Sequence, residues 1–516
     1  MTAQAKNIVI VGGGSAGWIT AGLIAARTRA SAARPVNVTV IEAPDIPIIG
    51  VGEGTWPSMR MTLRTMGINE QDFIAACHAS FKQGSKFRQW RKNTPEDFYY
   101  HPFDLPEGFE DGDIAAYWLK AGTQSFSRTV CPQEHLCERH FAPKSLTSPG
   151  YAGFTNYGYH LDAGTFSVFL RSHATSQLGV THIADKVLGV VAAENGDIAA
   201  VETEASGRID GDLFIDCTGS RSLLLGGHYG IGLTPKSDIL FADTALAVQV
   251  PYGEADPVQS TTVATAQPAG WVWDVSLSSR RGVGHVYSSN HMDEEAATEC
   301  LRGYLGLDDA QFGALSVRKL AIGSGYRQAF WHHNCVAIGL SAGFLEPLEA
   351  SALMLIETSA NMVADALVAE SGDLATSRDA FNRDLHQIWD DIIHFLKLHY
   401  CLSERTEAFW QDNRQPDSMP ASLVADMEAW RQPHQGQAPR YGGGTVFPPA
   451  SYLYVLYGMG FRPDGTAGTL TPDAQSFGKK CADKVERTVA QLQALLPQNR
   501  ALLDTLNGAM GTGQGG

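Results

Sequence analysis

Basic residues are scarce in this sequence, and none of its segments is a basic run. Its 39 Lys and Arg residues are outnumbered by 55 Asp and Glu residues, so the formal net charge is −16 at pH 7. A protein that grips the phosphate backbone of a nucleic acid needs the opposite balance. The composition therefore excludes nucleic acid as an expected partner.

Long apolar runs are missing as well. No run approaches the ~20 residues that a membrane span requires. The first strand pattern begins within seven residues of the N-terminus, which leaves no room for a signal peptide. We therefore predict a cytoplasmic protein without a membrane segment, present as a monomer or a homodimer.

The eight cysteines are too scattered for a disulfide framework. One local cluster, formed by Cys131, His135, Cys137 and His140, has two interpretations. A wrapped loop would bind zinc through these side chains, whereas an ordinary surface loop carries them incidentally. Because the spacing matches no common zinc pattern, we predict no metal site.

A glycine-rich turn near the N-terminus carries the clearest signal. The β-branched run Ile8–Val11 is followed by Gly12, Gly14 and Gly17, and then by an apolar helix. This strand, turn and helix let a pyrophosphate approach backbone N–H groups at a helix N-terminus. We predict a dinucleotide site that includes Ser15 and Ala16 of the same turn.

Two further segments extend this predicted cofactor site. A second strand ends on Glu42, about where an acidic residue meets the ribose hydroxyls of an adenine dinucleotide. A second glycine-rich turn comprises Gly50, Val51, Gly52, Glu53 and Gly54. It either presents amides to a flavin or needs positive φ angles for packing alone.

The chain returns twice to its first sheet, which predicts a discontinuous domain. Buried strands that end in small-residue turns lie at 212–217 and at 335–339, the latter ending in Gly339. We predict an α/β fold with a Rossmann-like FAD-binding domain of the flavin monooxygenase type. Its cofactor-binding module comprises about 1–90, 160–233 and 325–375. The inserted segments are about 91–159 and 234–324, and the second of them is predicted to form an antiparallel sheet. A helical region 376–507 and a disordered tail 508–516 follow.

Two ionisable residues stand beside helix ends. Phe73, Ile74, Cys77 and Phe81 have helical spacing, which predicts a helix that ends near Gly84 and places Lys82 in its last turn. Local sequence alone makes that lysine an ordinary solvated charge. The amides after Glu349 open another helix and so form an anion site.

Several motifs, taken in order, resemble the flavin-dependent halogenases of the tryptophan-halogenase family. The similarity extends from about Asn7 to Phe461. The matching segments are Gly12 to Gly17, Gly50 to Pro57, Ser80 to Gly84, Tyr159 to Ala163, Leu213 to Gly219, Trp331 to Leu348 and Leu398 to Tyr400.

The resemblance implies a mechanism and its cofactors. Reduced FAD, supplied by a separate NAD(P)H-dependent flavin reductase, reacts with oxygen and oxidises chloride or bromide to hypohalous acid. Lys82 then directs the halogen to an aromatic ring, and Glu349 orients it and takes the proton that the ring loses. Ser351 and Ala352 would bind the halide, Leu348 would contact the flavin, and Trp271 and Trp273 would line the route.

Two departures from the family pattern fall where this chemistry is concentrated. The family's W-x-W-x-I-P ends here in Val275-Ser276, and its P-L-E-S-T-G ends in Ala350-Ser351-Ala352. A glycine permits the closest approach to an anion, so its replacement by Ala352 predicts a changed halide pocket. We expect a relaxed substrate range.

The predicted substrate is a flat, electron-rich aromatic compound of the free indole type. His101, Phe103 and Tyr454 supply aromatic side chains that would stack on such a ring. The glycine-rich segment 440–444 offers no firm clamp for an amino-acid moiety. Two alternatives remain, namely an FAD-dependent aromatic hydroxylase and a flavin-binding protein without turnover.

Overall fold

The computed structural model describes residues 6–29, 36–46, 52–253, 256–369, 374–432, 442, 446–464 and 470–511. The chain forms two compact units, each built from three segments. The first unit comprises Met1–Ala79, Leu161–Lys236 and Gly323–Trp389. The second comprises Ser80–His160, Ser237–Ile322 and Asp390–Gly516.

The strands and helices follow in chain order. The strands are β1 (Lys6–Val11), β2 (Val36–Glu42), β3 (Glu53–Gly54), β4 (Ser80–Lys82), β5 (Gly84–Arg88), β6 (Phe98–Pro102), β7 (Gly158–Leu161), β8 (Thr181–Ala184), β9 (Val187–Ala192), β10 (Ile198–Thr203), β11 (Gly207–Asp210), β12 (Leu213–Asp216), β13 (Leu233–Pro235), β14 (Thr244–Pro251), β15 (Thr262–Gln267), β16 (Gly270–Ser276), β17 (Arg280–Tyr287), β18 (Arg318–Ala321), β19 (Gly325–Arg327), β20 (Trp331–His332), β21 (Cys335–Ala337) and β22 (Gly343–Phe344). The α-helices are α1 (Ser15–Arg29), α2 (Ser58–Thr65), α3 (Glu70–Ala76), α4 (Ile114–Ala121), α5 (Phe126–Val130), α6 (Gln133–Cys137), α7 (Ala163–Gln177), α8 (Glu294–Leu305), α9 (Asp309–Gly313), α10 (Ala352–Val368), α11 (Leu374–Cys401), α12 (Ala408–Asp412), α13 (Ala421–Arg431), α14 (Pro449–Gly458), α15 (Pro472–Leu495) and α16 (Asn499–Gly511).

A six-stranded sheet forms the centre of the first unit. Its strand order is β20-β21-β12-β1-β2-β8, and all neighbours except β20 and β21 run parallel. The central strands are continuous apolar runs because helices cover a parallel sheet on both faces. The predicted returns of the chain to its first sheet are confirmed by the pairing of β1 with β12 and of β12 with β21.

Helix α10 is the most apolar long segment of the first unit. The stretch Leu348–Val368 has the length and composition of a membrane span, yet 67% of its most apolar window is buried inside the protein. It packs against α1. Such burial is typical of a core helix, because its apolar side chains already have protein neighbours.

The second unit contains a seven-stranded sheet in the order β18-β14-β17-β16-β15-β5-β6. The predicted antiparallel insertion is present, since β14 to β18 pair with opposite directions. The sequence did not predict that β5 would join it in parallel with β15. We expected residues 80–90 in the FAD-binding module and residues 376–389 outside it. In the structure, residues 80–90 lie in the second unit and residues 376–389 lie in the first.

Two predictions near the C-terminus are wrong. The apolar pattern from Val485 to Leu506 predicts a single helix, yet these residues belong to two helices, α15 and α16. Pro497 separates them because it cannot donate to a helix and disfavours helical backbone at Leu496, whose ψ is 139°. The predicted tail from Gly508 is helical as far as Gly511, and residues 512–516 lie outside the described part of the chain.

Candidate active site

The first glycine-rich turn has three glycines with different roles. A Cβ on Gly12 would lie 2.1 Å from the Cys217 carbonyl oxygen, and one on Gly17 would lie 1.9 Å from the Gly12 oxygen. Both glycines are therefore required by the turn itself. A Cβ on Gly14 would meet no protein atom within 4 Å. Gly14 thus faces open space at the N-terminus of α1, as a turn that accepts a pyrophosphate must.

Residues around this turn hold its shape. Gly339 has a φ of 73°, and a Cβ there would lie 2.7 Å from the Ala16 Cβ atom. The close approach of Gly339 to Ala16 joins the start of α1 to the end of β21. Ser15 Oγ lies 3.1 Å from Ser167 Oγ on α7. The predicted residues of this turn are thus gathered in the first unit.

Glu42 ends β2, as predicted, but it already has two partners. Its Oε2 atom lies 3.2 Å from Arg171 Nη1 and 3.0 Å from His182 Nε2. Its side chain also packs where a Cβ on Gly13 would lie, at 2.2 Å. Arg171 and His182 escaped the sequence reasoning, because their proximity to Glu42 depends on how α7 and β8 pack on the sheet. A ribose contact by Glu42 stays a prediction.

The second glycine-rich turn is described in part. Gly50 and Val51 lie outside the described residues. Gly52 has a φ of 94°, which favours glycine. Desolvation raises the pKa of Glu53 to about 7, so this carboxyl holds its proton more readily than an exposed one. Gly54 is buried at the end of β3.

Trp56, which follows this turn, contacts a strained segment near α10. Glu349 has φ 63° and ψ 0°, and Ala350 has a φ of 55°. Two consecutive left-handed residues that are not glycine are costly, and such strain is typically retained at functional sites. Trp56 Nε1 donates a 2.7 Å hydrogen bond to the Glu349 carbonyl oxygen. The indole thereby stabilises the unusual turn.

The strained turn leads directly into α10. Ser351 is the N-cap residue, Ala352 is the first helical residue, and Leu348 is buried just before them. The first N–H groups of a helix have no carbonyl partner within that helix, and they carry its positive dipole end. Ser351 and Ala352 therefore lie at the N-terminus of a helix, and a halide contact by these two residues stays a prediction.

Two turns further along α10, Glu357 is a buried carboxyl that the sequence analysis missed. Its side chain accepts hydrogen bonds from Ser58 and Thr62 of α2. Burial raises its pKa to about 7 despite these two donors. Glu357, Thr358 and Asn361, together with residues of α2 and Leu23, line a cavity of about 180 Å³. None of the predicted site residues lines this cavity.

Lys82 lies in a strand, so the prediction of a helix around it is wrong. Helix α3 ends at Ala76, and His78 then adopts a left-handed φ of 49° that a helix cannot continue through. Lys82 belongs to β4, which pairs antiparallel with β7, so that Lys82 is opposite Gly158. It is 1% exposed. Its Nζ atom lies 5.3 Å from the centre of the Phe103 ring, a cation–π contact.

His160 shares the sheet face of Lys82. Ser80 is opposite His160, and side chains two residues apart on a strand point to the same face. His160 Nε2 lies 2.8 Å from Thr262 Oγ1. Burial, and then the positive charge of Lys82, hold the pKa of His160 well below its usual range. A neutral imidazole therefore stands beside the lysine at neutral pH.

An aromatic cluster surrounds the end of β6. His101 Nε2 lies 2.8 Å from Ser451 Oγ, and its ring lies 6.3 Å from the Tyr454 ring. Phe395 and Phe447 stack with ring centres 3.8 Å apart, next to His101. The structure thus brings the predicted residues His101 and Tyr454 together, and Phe103 follows β6 directly. Phe395 was missed, because only the helix packing places it here.

The paired tryptophans lie side by side on one face of β16. Trp271 is 1% exposed and Trp273 is 7% exposed. Gly284 on β17 is opposite Trp273, and a Cβ there would lie 2.1 Å from the indole ring. Trp271 packs against Trp90, at 6.1 Å between ring centres. Glycine at 284 is therefore what allows Trp273 to lie flat on the sheet.

In the cluster that suggested zinc, the two cysteines are buried in the second unit and the two histidines are half-buried. Cys131 precedes α6, Cys137 is the last residue of that helix, and both are buried. His135 Nε2 lies 2.9 Å from the Arg128 carbonyl oxygen. Within the described ranges, no three His, Cys, Asp or Glu side chains are grouped as a metal ion would need.

The first unit has the parallel sheet and the open glycine turn that are typical of dinucleotide-binding enzymes. The second unit holds a buried lysine beside an aromatic ring. The tryptophan halogenase family profile matches residues 7–472, and the chain belongs to this family. It is a flavin-dependent halogenase. The two alternatives raised by the sequence, a hydroxylase and a passive flavin binder, do not account for this match.

Individual relatives cover almost the whole chain. The tryptophan 6-halogenase SttH of Streptomyces toxytricini is 32% identical, over 98% of this chain and 97% of its own. The tryptophan 7-halogenase RebH of Lentzea aerocolonigenes is 32% identical, over 98% of each chain. The crystal structure of a tryptophan halogenase from Shewanella frigidimarina is 45% identical, over 98% of each chain, with a TM-score of 0.93.

Proposed function

We propose that this protein halogenates free indole-type compounds, with FADH2, oxygen and chloride or bromide as co-substrates. The observation that carries the proposal is Lys82, a buried lysine beside the Phe103 ring. An ordinary lysine would extend to water, since burying a charge without purpose is costly. An amine at this position suits a reaction that must hold an electrophilic halogen near an aromatic substrate.

FAD fits the first unit, because Gly14 leaves open space at the N-terminus of α1 and the absence of a side chain at Gly339 allows its close approach to Ala16. When bound and reduced, FAD supplies the oxidising chemistry with oxygen, and the protein supplies position and charge. Gly12, Ser15, Ala16 and Gly17 would hold the pyrophosphate. Gly52, Glu53, Gly54 and Leu348 would contact the flavin, and Glu42 the ribose.

The protein residues have separate tasks in this proposal. The N–H groups of Ser351 and Ala352 bind the halide at the start of α10. Lys82 Nζ directs the electrophilic halogen, either by a hydrogen bond to hypohalous acid or as an N–halogen bond formed with loss of water. Glu349 serves as the general base for the ring proton. Trp271 and Trp273 exclude water and so limit escape of the oxidant.

One reaction tests the proposal directly. The purified protein is mixed with a flavin reductase, FAD, NADH, bromide and indole, and the products are identified by mass spectrometry. Bromoindole is the expected product. Hydroxyindole in its place, or no indole product at all while NADH is consumed, would refute halogenation of this substrate class.

The protein should be inactive with NADH alone. The sequence contains no second glycine fingerprint after a strand that would hold NADH for reduction within the chain. We therefore expect bromoindole only when a reductase, or a chemical reductant for the flavin, is added. The check is a comparison of both mixtures at equal FAD concentration. Turnover by the purified protein with NADH as sole reductant would contradict this prediction.

Indole should be accepted at least as well as tryptophan. The rings around His101 offer stacking, worth ~0.5–1.5 kcal/mol per pair beyond buried area, and stacking requires no amino-acid group. The segment 440–444, in which we expected no clamp, lies outside the described residues apart from Gly442. We expect attack at the most electron-rich carbon, measured as kcat/KM for indole and for tryptophan. A large preference for tryptophan, at a single benzo-ring position, would reveal a clamp.

A further inference from the structure

Within the part of the chain that the structure describes, β4, the strand that carries Lys82, lies at the edge of its sheet. On one side β4 pairs with β7. On the other side, the Gln83 N–H donates a 2.7 Å hydrogen bond to the Ser260 carbonyl oxygen, and the ladder continues from there as β5 paired with β15. Among the described strands, β4 itself is paired with β7.

Asn499 contacts β4. Its Nδ2 atom lies 3.4 Å from the Phe81 carbonyl oxygen, 3.3 Å from that of Val258 and 3.4 Å from that of Gln259. The Phe81 carbonyl belongs to the peptide group that also contains the Lys82 nitrogen. One side-chain amide thus takes the place of a strand-to-strand hydrogen bond, one step beyond the last direct bond and next to Lys82.

The rest of the C-terminal segment holds Asn499 firmly in this position. The Asn499 N–H donates to the His140 carbonyl oxygen at 2.7 Å, and the Ala142 N–H donates to that of Pro497 at 2.9 Å. Between these bonds, Phe141 forms a bridge with Gln498. The Phe141 carbonyl oxygen in turn accepts a 2.8 Å hydrogen bond from Gln83 Nε2. The residue after Lys82 is therefore attached to the same segment.

The amide of Asn499 acts as a hydrogen-bond donor through Nδ2. Asn499 is 0% exposed, and its Oδ1 atom has no hydrogen-bond partner among the described residues. A buried acceptor without a partner is costly, so an apolar side chain would be favoured here if packing alone mattered. The three carbonyl oxygens explain why an NH2 group stands at this position.

We infer that Asn499 is a positioning residue for Lys82, an inference that rests on the proposed function. It lies beyond residue 472, where the match to the family profile ends. Asn499 holds the Phe81–Lys82 peptide group in place and thereby fixes where the lysine side chain starts. Displacement of that peptide group should leave formation of hypohalous acid intact but reduce its delivery to the substrate.

The test measures whether the oxidant formed from each reduced flavin brominates indole or is released as free hypobromous acid. Wild type, Asn499→Asp and Asn499→Ala are compared in the reductase-coupled reaction with bromide and indole. Asn499→Asp keeps the size of the side chain and removes the donors. The bromoindole formed per NADH consumed is measured together with free hypobromous acid, which a small enol scavenger reports. Asp504→Ala, at an exposed position of the same helix, is the matched control.

In both Asn499 variants we expect the bromoindole yield to fall about tenfold to a hundredfold, because small misplacements of a reacting group have effects of this size. Free hypobromous acid should rise in compensation, while FAD affinity and the KM for indole stay unchanged. Asp504→Ala should behave as wild type.

A role in folding alone would give a different result. The yield would then fall only in proportion to the folded fraction seen by thermal unfolding, with no rise in free hypobromous acid, and this outcome would overturn the inference. The inference would also be overturned if either variant were folded and gave the wild-type ratio of bromoindole to free hypobromous acid. If wild type itself forms no bromoindole, the proposed function is refuted, and the positioning role of Asn499 in halogenation is refuted with it.

Discussion

Replacement of Lys82 by Ala should abolish halogenation while FAD binding and NADH consumption continue. In the proposed mechanism the lysine acts after oxygen has been activated. It lies in the second unit, whereas the glycine turn is in the first. Removal of the amine therefore leaves the oxidative steps without a residue that directs their product. We expect no bromoindole above background, with the oxidant released as peroxide or free hypobromous acid.

Loss of a buried cation could also act through folding, so the experiment needs a matched lysine. Lys86 on β5 provides one, since its Nζ atom lies 4.6 Å from the Phe98 ring and forms an ion pair with Glu138. Lys86→Ala removes a cation–π contact of the same kind but should retain halogenation. Thermal unfolding and FAD titration of both variants complete the comparison. Halogenation by Lys82→Ala at near the wild-type rate would remove this residue from the mechanism.

The place of Lys82 shows where local sequence patterns fail. Phe73, Ile74, Cys77 and Phe81 have helical spacing, yet the helix stops at Ala76. A strand three residues long is too short to show an alternating pattern of its own. Its pairing partner, β7, is about 76 residues away in sequence, so the interaction that decides its conformation is not local. The motif match identified the residue, whereas periodicity gave it the wrong conformation.

The opposite holds for the first glycine turn. The apolar strand, the three glycines and the helix are adjacent in sequence, and each local preference agrees with the final structure. Helix α7, from Ala163 to Gln177, likewise begins at a local signal, because the side chain of Asp162 caps its N-terminus. Local signals of this type predicted the frame of the cofactor site.

Contacts between distant segments account for what the sequence did not reveal. Trp56 and Glu349 are 293 residues apart, and Asn499 and Phe81 are 418 apart. In both pairs a side-chain donor supports a main-chain carbonyl beside a predicted catalytic residue. Neither donor belongs to a motif with chemistry of its own. Only the folded chain shows that these donors support the candidate site.

Replacement of Gly14 by Val should weaken FAD binding by roughly 3 kcal/mol or more, which is over a hundredfold in Kd. A Cβ at Gly14 meets no protein atom within 4 Å, so the added side chain would occupy the space needed by the pyrophosphate. Gly14 also precedes α1, and its carbonyl oxygen accepts a hydrogen bond from the Trp18 N–H. A β-branched residue at this N-cap position costs only about 1 kcal/mol of stability. The variant should therefore be folded yet poor in flavin.

The neighbouring glycines provide the contrast that makes the result specific. Gly12→Ala and Gly17→Ala would place a Cβ about 2 Å from a backbone oxygen, so they should lower thermal stability as well as FAD affinity. Gly14→Ala should give an intermediate loss of FAD affinity with little loss of stability. FAD titration by fluorescence quenching, together with thermal unfolding of the flavin-free protein, separates these effects. An unchanged FAD titration in a folded Gly14→Val variant would show that the cofactor does not approach this turn, because the open space at Gly14 is the reason for expecting the pyrophosphate there.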